Sequence, residues 1–259
     1  MSKGEVRYEM SEGIGAITLS RPEKRNSLTQ SMFAQLSDAV SQVESSDDVR
    51  VLVLSGQKGT GFCAGDDLGE LVAMDAVQAR EFLIMAQGIC TRLESLPVPV
   101  LAAVEGFALG GGLELALSCD LILASQNARL GLPETNLGII PGLGGCIRLP
   151  RRVGLGRARE MIFSGRIVDA QDAFAFGLVD AVLETDLFED KVLEYARMLA
   201  SKSPVSMALA KSTLNRGMDA SLEAGLALER EAFAYCFTLP DAREGITAFL
   251  EKRKPVFRK

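Results

Sequence analysis

The sequence predicts an α/β protein, with alternating strands and helices in its first two thirds and mainly helices after about Gly154. Its 259 residues are enough for one large α/β domain, with or without a helical appendage. Because 47% of the residues are hydrophobic, we expect a sizeable core and little disorder. The expected architecture is therefore a β/α core followed by a helical tail.

Short apolar runs, the second of them rich in β-branched residues, indicate the strands of the core. These runs lie at 14–19, 49–55, 98–104, 120–124 and 128–130. Between them, two longer segments place apolar side chains at helical spacing, at 29–44 and 75–96. Thr29 and Asp75 stand at the start of these segments and are suited to cap the free N–H groups of a first helical turn.

Helical patterns follow one another with short breaks in the last third of the chain. They lie at 157–163, 170–176, 186–201, 204–216, 221–237 and 241–253. The segment 221–237 is rather apolar for an exposed helix, since it carries Leu222, Leu226 and Phe233. We expect this helix to be buried against a neighbouring subunit.

The charge of the chain argues against a nucleic-acid partner, because its formal net charge is −6 and its pI about 5.0. Basic residues do cluster at 24–25, 148–159 and 252–259, where a small polyanionic ligand such as a phosphorylated cofactor can bind. No apolar stretch has the length of a membrane span, and the first residues lack the apolar run of a secretory signal. We expect a cytoplasmic protein that does not associate with membranes.

The absence of histidine restricts both metal binding and catalysis. The five cysteines are widely spaced without a Cys-x-x-Cys pair, so we expect reduced, buried thiols and no bound metal. Proton transfer at neutral pH then falls to carboxylates, or less readily to Lys, Tyr or Cys. Glu114 and Glu134, which both lie beside glycine-rich backbone, are the candidates.

Two glycine-rich segments can present backbone N–H groups to a ligand. The three glycines at 110–112 fit either a phosphate-binding loop or an oxyanion hole, and glycine runs are also common in structural turns. The patterns Gly-x-x-x-x-Gly-Lys-[Ser/Thr] and Gly-x-Gly-x-x-Gly are missing, which favours the oxyanion hole. In the second segment, at 61–70, Asp67 and Glu70 predict a capping box, either as a plain helix start or as a second source of N–H donors.

Glu134 follows Pro133, a residue that favours the first turn of a helix. An acid in that turn often does no more than complement the helix dipole, which is worth under ~1 kcal/mol. Here apolar side chains flank both Glu114 and Glu134, and paired carboxyls in an apolar pocket repel each other. One pKa then rises, so that the pair can divide acid and base roles.

Motifs along nearly the whole chain resemble the crotonase, or enoyl-CoA hydratase/isomerase, superfamily. They are Arg21-Pro-x-x-x-Asn26-Ser-Leu, Gly61-Phe-Cys-Ala-Gly-x-Asp67-Leu, Gly106-x-x-x-Gly-Gly-Gly112-x-Glu114, Pro133-Glu134-x-x-x-Gly-x-x-Pro141-Gly, Gly177-Leu-Val-Asp180 and Ala248-Phe-Leu-Glu-Lys-Arg-Lys-Pro. Their order is specific for the family but less so for the reaction, because the family uses one oxyanion hole for several chemistries.

The resemblance implies a crotonase-like spiral of β-β-α turns over residues 1–195 and a helical trimerisation region over residues 196–259. Members form trimers, often paired into hexamers, and bind acyl-CoA thioesters without a metal or redox cofactor. By motif position, the N–H donors of the oxyanion hole are those of Asp66 and Gly111. The residues expected near coenzyme A are Arg25, Ala64, Asp67 and Leu68, with Phe249 and Lys252 from an adjacent subunit.

Because both glutamates of the family's hydratases are present, the resemblance favours an enoyl-CoA hydratase. It implies that Glu114 acts as base on a water attacking Cβ of a 2-enoyl-CoA, and that Glu134 gives a proton to Cα. A Δ3-Δ2 enoyl-CoA isomerase using Glu134 alone is the main alternative. A non-catalytic acyl-CoA binder and a nucleotide-binding Rossmann protein are alternatives of other classes, the latter disfavoured by the missing fingerprints.

Asp66 departs from the family pattern, in which this position is commonly a small residue. Its backbone N–H can still donate, but an ionised carboxylate beside a forming enolate would oppose catalysis. The side chain therefore points away, is protonated, or contacts a polar acyl group. A functionalised acyl-CoA thus becomes more plausible as the substrate than a simple fatty one.

Overall fold

A twisted six-stranded sheet forms the centre of the computed structural model, which describes residues 4–257. Its strands are β1 (Glu5–Ser11), β2 (Ile14–Ser20), β3 (Val51–Gly56), β4 (Val100–Val104), β6 (Leu121–Ser125) and β9 (Ala181–Leu183), in that order across the sheet. β1 and β2 are antiparallel, and each later pair of neighbours is parallel. Parallel neighbours need crossover connections, which the helices supply.

A smaller sheet consists of β5 (Phe107–Leu109), β7 (Arg129–Gly131) and β8 (Ile167–Asp169). β5 and β7 are parallel, whereas β7 and β8 are antiparallel. An isolated bridge joins Cys63 to Ala108 of β5, and another joins Asp66 to Leu28. Residues 63–66 therefore run along the open edge of the smaller sheet.

Eleven helices surround the sheets within the described residues. They are α1 (Gln30–Glu44), α2 (Leu68–Leu71), α3 (Ala76–Ser95), α4 (Gly111–Leu117), α5 (Gly145–Val153), α6 (Leu155–Ser164), α7 (Ala170–Ala175), α8 (Phe188–Ala200), α9 (Pro204–Gly217), α10 (Leu222–Cys236) and α11 (Pro240–Leu250). Thr29 caps α1 and Asp75 caps α3, as predicted. A 3-10 helix, Glu134–Leu137, follows β7.

The order of a large-sheet strand, a small-sheet strand and a helix occurs twice in succession. β4, β5 and α4 form one such turn of chain, and β6, β7 and the 3-10 helix form the next. Because β5 and β7 are parallel neighbours, their carboxyl ends lie at the same edge of the smaller sheet, and the helices that follow them begin there. This repetition brings Glu114 and Glu134 to one place.

The two faces of the large sheet carry separate apolar clusters. The larger cluster includes α1 and α3, where the rings of Phe33 and Phe82 meet edge to face with centroids 5.2 Å apart. On the other face, Phe188 and Val192 of α8 pack against sheet residues that include Val51. The expected division between residues 195 and 196 thus falls inside a helix that packs on the sheet, and that division remains a prediction.

Several elements were not predicted from the sequence. The missed elements are β1, β5, β8, β9 and α5. The expectation of mainly helices after Gly154 left out β8 and β9, which are each three residues long and whose sequences, Ile-Val-Asp and Ala-Val-Leu, do not alternate between apolar and polar residues. β1 was missed because it is an edge strand with a largely exposed, charged sequence.

The tail helices expose much apolar surface. Leu214 of α9, Met218 directly after it, and Leu222 and Phe233 of α10 are all more than half exposed. All five cysteines are free, and Cys63, Cys90 and Cys119 are buried. No helix within residues 4–257 has the length and apolar composition needed to cross a membrane.

Lys211 attaches α9 to the core. Its Nζ lies 2.7 Å from Oδ2 of Asp120 and donates a hydrogen bond of 3.0 Å to the carbonyl oxygen of Val98. Burial raises the pKa of Asp120, and the ammonium of Lys211 opposes that rise. The ion pair is thus partly buried and holds the tail beside β4 and β6.

Replacing Lys211 with Met should lower the free energy of unfolding by about 2–3 kcal/mol, because Asp120 would stay partly buried without its cation. Urea unfolding measures this loss. The matched variant Lys202→Met changes an exposed lysine and should shift stability by no more than ~0.5 kcal/mol. Equal losses in the two variants would contradict the attachment.

Candidate active site

The start of α4 is pressed against residues 63–66. A side chain at Gly112 would overlap the carbonyl oxygen of Cys63, and Gly65 packs against Gly110 and Gly111. Gly110 adopts φ 51° and ψ −129°, a conformation that is open to glycine but strained for other residues. The glycine run therefore exists because two backbone segments approach each other closely.

Two backbone N–H groups are left free at this contact. Gly111 is the first residue of α4, so its N–H has no partner within the helix. The bridge between Leu28 and Asp66 does not use the N–H of Asp66. The N–H of Leu28 donates to the carbonyl oxygen of Gly65, and the N–H of Asp67 donates to that of Leu28, both at 2.8 Å. Within residues 4–257 the N–H of Asp66 donates no hydrogen bond, so both groups are available to a ligand.

Glu114 lies one turn into α4 and is only 1% exposed. Its Oε1 accepts a 2.6 Å hydrogen bond from the N–H of Gly145. Arg148 of α5 fixes the loop that carries this donor, since it donates to the carbonyl oxygen of Leu143 at 2.8 Å and pairs with Glu94 at 2.7 Å. The carboxyl of Glu114 is therefore oriented by a donor that Arg148 and Glu94 hold in place.

Glu134 begins the 3-10 helix after β7, where the sequence placed an acid in a first turn. It is 8% exposed, and both carboxyl oxygens are buried without a hydrogen-bond partner among the described residues. Its Oε1 lies against Gly110, 3.3 Å from the position that a Cβ would take there. A buried polar group without a partner is costly unless a ligand supplies one.

Asp66 brings a third carboxyl to the same place. Both of its Oδ atoms lie 2.8 Å from the position of a Cβ on Gly111, and Oδ1 is buried without a partner. The side chain therefore does not point away, which was one of the three possibilities left open by the sequence. Asp66, Glu114 and Glu134 surround the first turn of α4.

Burial raises the pKa of all three carboxyls, because the charged form loses its hydration. The pKa of Asp66 rises to about 7, with a further contribution from the charge of Glu134. The pKa of Glu114 rises to about 8, although the backbone N–H of Gly145 opposes the rise, and the charges of Glu134 and Asp66 add to it. The site therefore retains protons near neutral pH.

Asn26 positions residues 60–62, although the sequence offered it only as part of a motif. It is fully buried with φ 58°, its Nδ2 donates to Thr60 Oγ1 at 2.9 Å and to the carbonyl oxygen of Gly61 at 2.7 Å, and its Oδ1 accepts from the N–H of Arg21 at 2.7 Å. The chain reaches the free N–H of Asp66 directly after this segment. The only sequence signal for this role was an asparagine shortly after Pro22, in a segment expected to turn.

The residues predicted to bind coenzyme A fall into two groups. Arg25, Ala64, Asp67 and Leu68 lie around Asp66: the N–H of Ala64 donates to the carbonyl oxygen of Arg25 at 3.0 Å, and Leu68 is 54% exposed. Phe249 lies in the last turn of α11 and Lys252 follows that helix, and both are exposed. No hydrogen bond or ion pair within residues 4–257 joins the two groups, and their roles remain predictions.

The expected capping box at Asp67 is half wrong. The Asp67 carboxylate does cap α2, accepting from the N–H groups of Gly69 and Glu70, and it also pairs with Arg21 at 2.6 Å. Glu70, however, accepts from the N–H of Gln30 at 2.8 Å instead of returning to Asp67. Glu70 thus joins α2 to the start of α1.

The family model for enoyl-CoA hydratase/isomerase matches residues 9–259, so the chain belongs to this family. A short-chain-enoyl-CoA hydratase of Clostridium acetobutylicum is 39% identical over 98% of this chain and 97% of its own length. A mitochondrial methylglutaconyl-CoA hydratase of Rattus norvegicus is 41% identical over 96% of this chain and 81% of its own length.

The crystal structure of an enoyl-CoA hydratase from Bacillus anthracis superposes with a TM-score of 0.93 at 40% identity, covering 99% of both chains. This likeness confirms the predicted crotonase-like α/β fold. Within residues 4–257, no group of three or more Cys, Asp or Glu side chains is arranged to hold a metal ion.

Replacing Asn26 with Ala should lower the free energy of unfolding by about 2–3 kcal/mol, because buried backbone groups lose their partners and alanine is strained at positive φ. It should also weaken binding of butyryl-CoA, since residues 61–66 lose their support. Urea unfolding and calorimetry measure the two effects. Asn215→Ala, at an exposed amide on α9, is the control and should change both little.

Proposed function

We propose that this protein is an enoyl-CoA hydratase, which adds water across the 2,3 double bond of a 2-enoyl-CoA to give a 3-hydroxyacyl-CoA. One observation supports this most strongly. Two buried glutamates, Glu114 and Glu134, lie around a helix start whose backbone N–H has no partner. The names of its relatives support the same reaction, for a short-chain acyl group and for methylglutaconyl-CoA.

In this proposal the thioester oxygen accepts hydrogen bonds from the N–H groups of Asp66 and Gly111. Addition of water to Cβ moves negative charge onto that oxygen as an enolate forms. Donors already in place stabilise this charge without reorganisation, and one such donor is typically worth ~3 kcal/mol of barrier. The positive end of α4 adds to the stabilisation.

Hydrogen bonding supports Glu114 as the base and Glu134 as the acid. The N–H of Gly145 donates a 2.6 Å hydrogen bond that favours the ionised form of Glu114. Among residues 4–257 the carboxyl oxygens of Glu134 accept no such hydrogen bond, and only the backbone N–H of Glu134 itself acts to lower its pKa. Burial is the largest cause of the raised pKa of Glu114, and the charges of Glu134 and Asp66 add a smaller part that vanishes when those two are protonated. The working state of the pair thus holds one proton, and its pKa values belong to the pair as a whole.

The chemical step then balances. Water bonds to Cβ through its oxygen and gives one proton to Glu114, while Glu134 gives its proton to Cα. Passage of a proton from Glu114 to Glu134 restores the starting state. The reaction involves no net oxidation, so it requires no redox cofactor. In this proposal the backbone N–H donors stabilise the enolate oxygen without a Lewis-acid metal, and coenzyme A enters as part of the substrate.

We further propose that residues 196–259 form the interface of a homotrimer or of a hexamer of two trimers. The exposed apolar side chains of α9 and α10 support such a contact. Arg25, Ala64, Asp67 and Leu68 would then contact coenzyme A together with Phe249 and Lys252 of an adjacent subunit. Five free cysteines suit a reducing compartment, and the cytoplasm is the proposed location.

Hydration of crotonyl-CoA, followed by the loss of enoyl absorbance and by product mass, tests the proposal. The wild-type protein should add one water, and Glu114→Gln and Glu134→Gln should each lower kcat by about 10²–10⁴-fold, because each removes a proton-transfer group. Glu231→Gln, at an exposed residue of α10, is the control and should retain full activity.

Two outcomes would contradict hydration. Retention of much activity by Glu114→Gln, with migration of the double bond in a 3-enoyl-CoA, would establish the isomerase that uses Glu134 alone. Binding of butyryl-CoA without turnover of any enoyl-CoA would instead establish a non-catalytic binder.

A further inference from the structure

The carboxyl of Asp66 has no part in the two-glutamate mechanism, yet it lies inside the site. Both Oδ atoms lie 2.8 Å from the position that a Cβ would take on Gly111, whose N–H is one of the two proposed donors. The N–H of Asp66 itself is the other. A thioester oxygen that accepts from these two groups would therefore lie beside the carboxyl of Asp66.

We propose that the Asp66 carboxyl, in its protonated form, is a third hydrogen-bond donor to the thioester oxygen of the substrate. It would act together with the N–H groups of Asp66 and Gly111 and would transfer no proton to the oxygen. This role rests on the proposed hydratase activity and adds a catalytic residue to it.

The surroundings of Asp66 favour the protonated form. The charge of Glu134, in the 3-10 helix, raises the pKa of Asp66. The charge of Asp66 in turn raises the pKa of Glu114 in α4 and of Cys63 in its own segment, so each of these neighbours is an acid. Within residues 4–257, no cation lowers its pKa. An anion here would be desolvated and repelled by its neighbours.

A protonated carboxyl buried in this position needs an acceptor for its O–H. Among the described residues, Oδ1 has no hydrogen-bond partner, so the protein leaves this requirement open. A thioester oxygen meets it, and does so more strongly as negative charge develops on that oxygen. An ionised carboxylate at the same point would repel the enolate.

The proposal has a direct consequence for pH dependence. Burial and the charge of Glu134 raise the pKa of Asp66 to about 7, so the donor is lost as the pH rises through that value. Hydration should therefore decline on the alkaline side partly through Asp66. A bound oxygen that accepts from the protonated form raises the pKa further, so ligand binding should take up protons at mildly alkaline pH.

The first experiment compares kcat/KM for crotonyl-CoA between pH 5.5 and 9 in the wild type, Asp66→Asn and Asp66→Ala. Asparagine keeps a neutral donor, so its alkaline decline should move to higher pH while its activity at pH 6 stays within a few-fold of wild type. Alanine should lose ~10-fold at pH 6, the effect of one ordinary hydrogen bond. Asp38→Asn, at an exposed residue of α1, should leave the profile unchanged.

Three results would overturn the donor role. An Asp66→Ala variant as active as wild type at pH 6 would show that the side chain donates nothing to the oxygen. Equal activity gains in both variants at high pH, without a loss at pH 6, would show that the carboxylate only repels the enolate. If the variants differ with a polar acyl-CoA but not with crotonyl-CoA, Asp66 selects the acyl group instead.

A binding measurement separates this inference from the hydratase proposal. Calorimetric titration with butyryl-CoA, which cannot be hydrated, in buffers of different ionisation enthalpy gives the number of protons taken up. The wild type should take up more protons than Asp66→Asn near pH 8, even if no enoyl-CoA is turned over. Equal proton uptake by the two proteins would contradict the inference independently of any activity.

Discussion

The close contact between residues 63–66 and the start of α4 is the constraint on which the site depends. Glycine at 112 lets the two backbones meet, and glycine at 110 gives the turn its unusual dihedral angles. Asn26 and the bridges to Leu28 and Ala108 fix one side of the contact, and the parallel pairing of β5 with β7 fixes the other. The two free N–H groups follow from this arrangement. The N–H of Gly111 begins a helix, and the N–H of Asp66 is not used by the bridge between Asp66 and Leu28.

The second feature of the site is its concentration of acids in a region with little water. Burial raises the pKa of Asp66, Glu114 and Glu134, and repulsion between charges adds to the rise at Asp66 and Glu114, which favours protonated carboxyls near neutral pH. A protein without histidine thereby obtains both a carboxylate and a carboxylic acid at once. The hydrogen bond from Gly145, supported by Arg148 and Glu94, distinguishes Glu114 from Glu134.

Much of the fold could be predicted from sequence where segments are long and periodic, as in α1, α3 and β3, and the motifs located Glu114, Glu134, Asp66 and Gly111. Three-residue strands such as β5, β8 and β9 could not be found, because their pairing depends on distant segments and not on their own pattern. The orientation of Asp66 and the hydrogen bond from the Gly145 loop to Glu114 depend on tertiary contacts. They could not be predicted from the spacing of residues along the chain.

In the proposed complex, a thioester carbonyl binds between the N–H groups of Asp66 and Gly111, beside three carboxyls. The most direct measurement is the infrared carbonyl stretch of butyryl-CoA, isotopically labelled at its thioester carbon and bound to the protein. Hydrogen bonds from preorganised donors should lower this frequency well below its value in water. A stretch equal to or higher than that in water would mean that the carbonyl does not occupy this position.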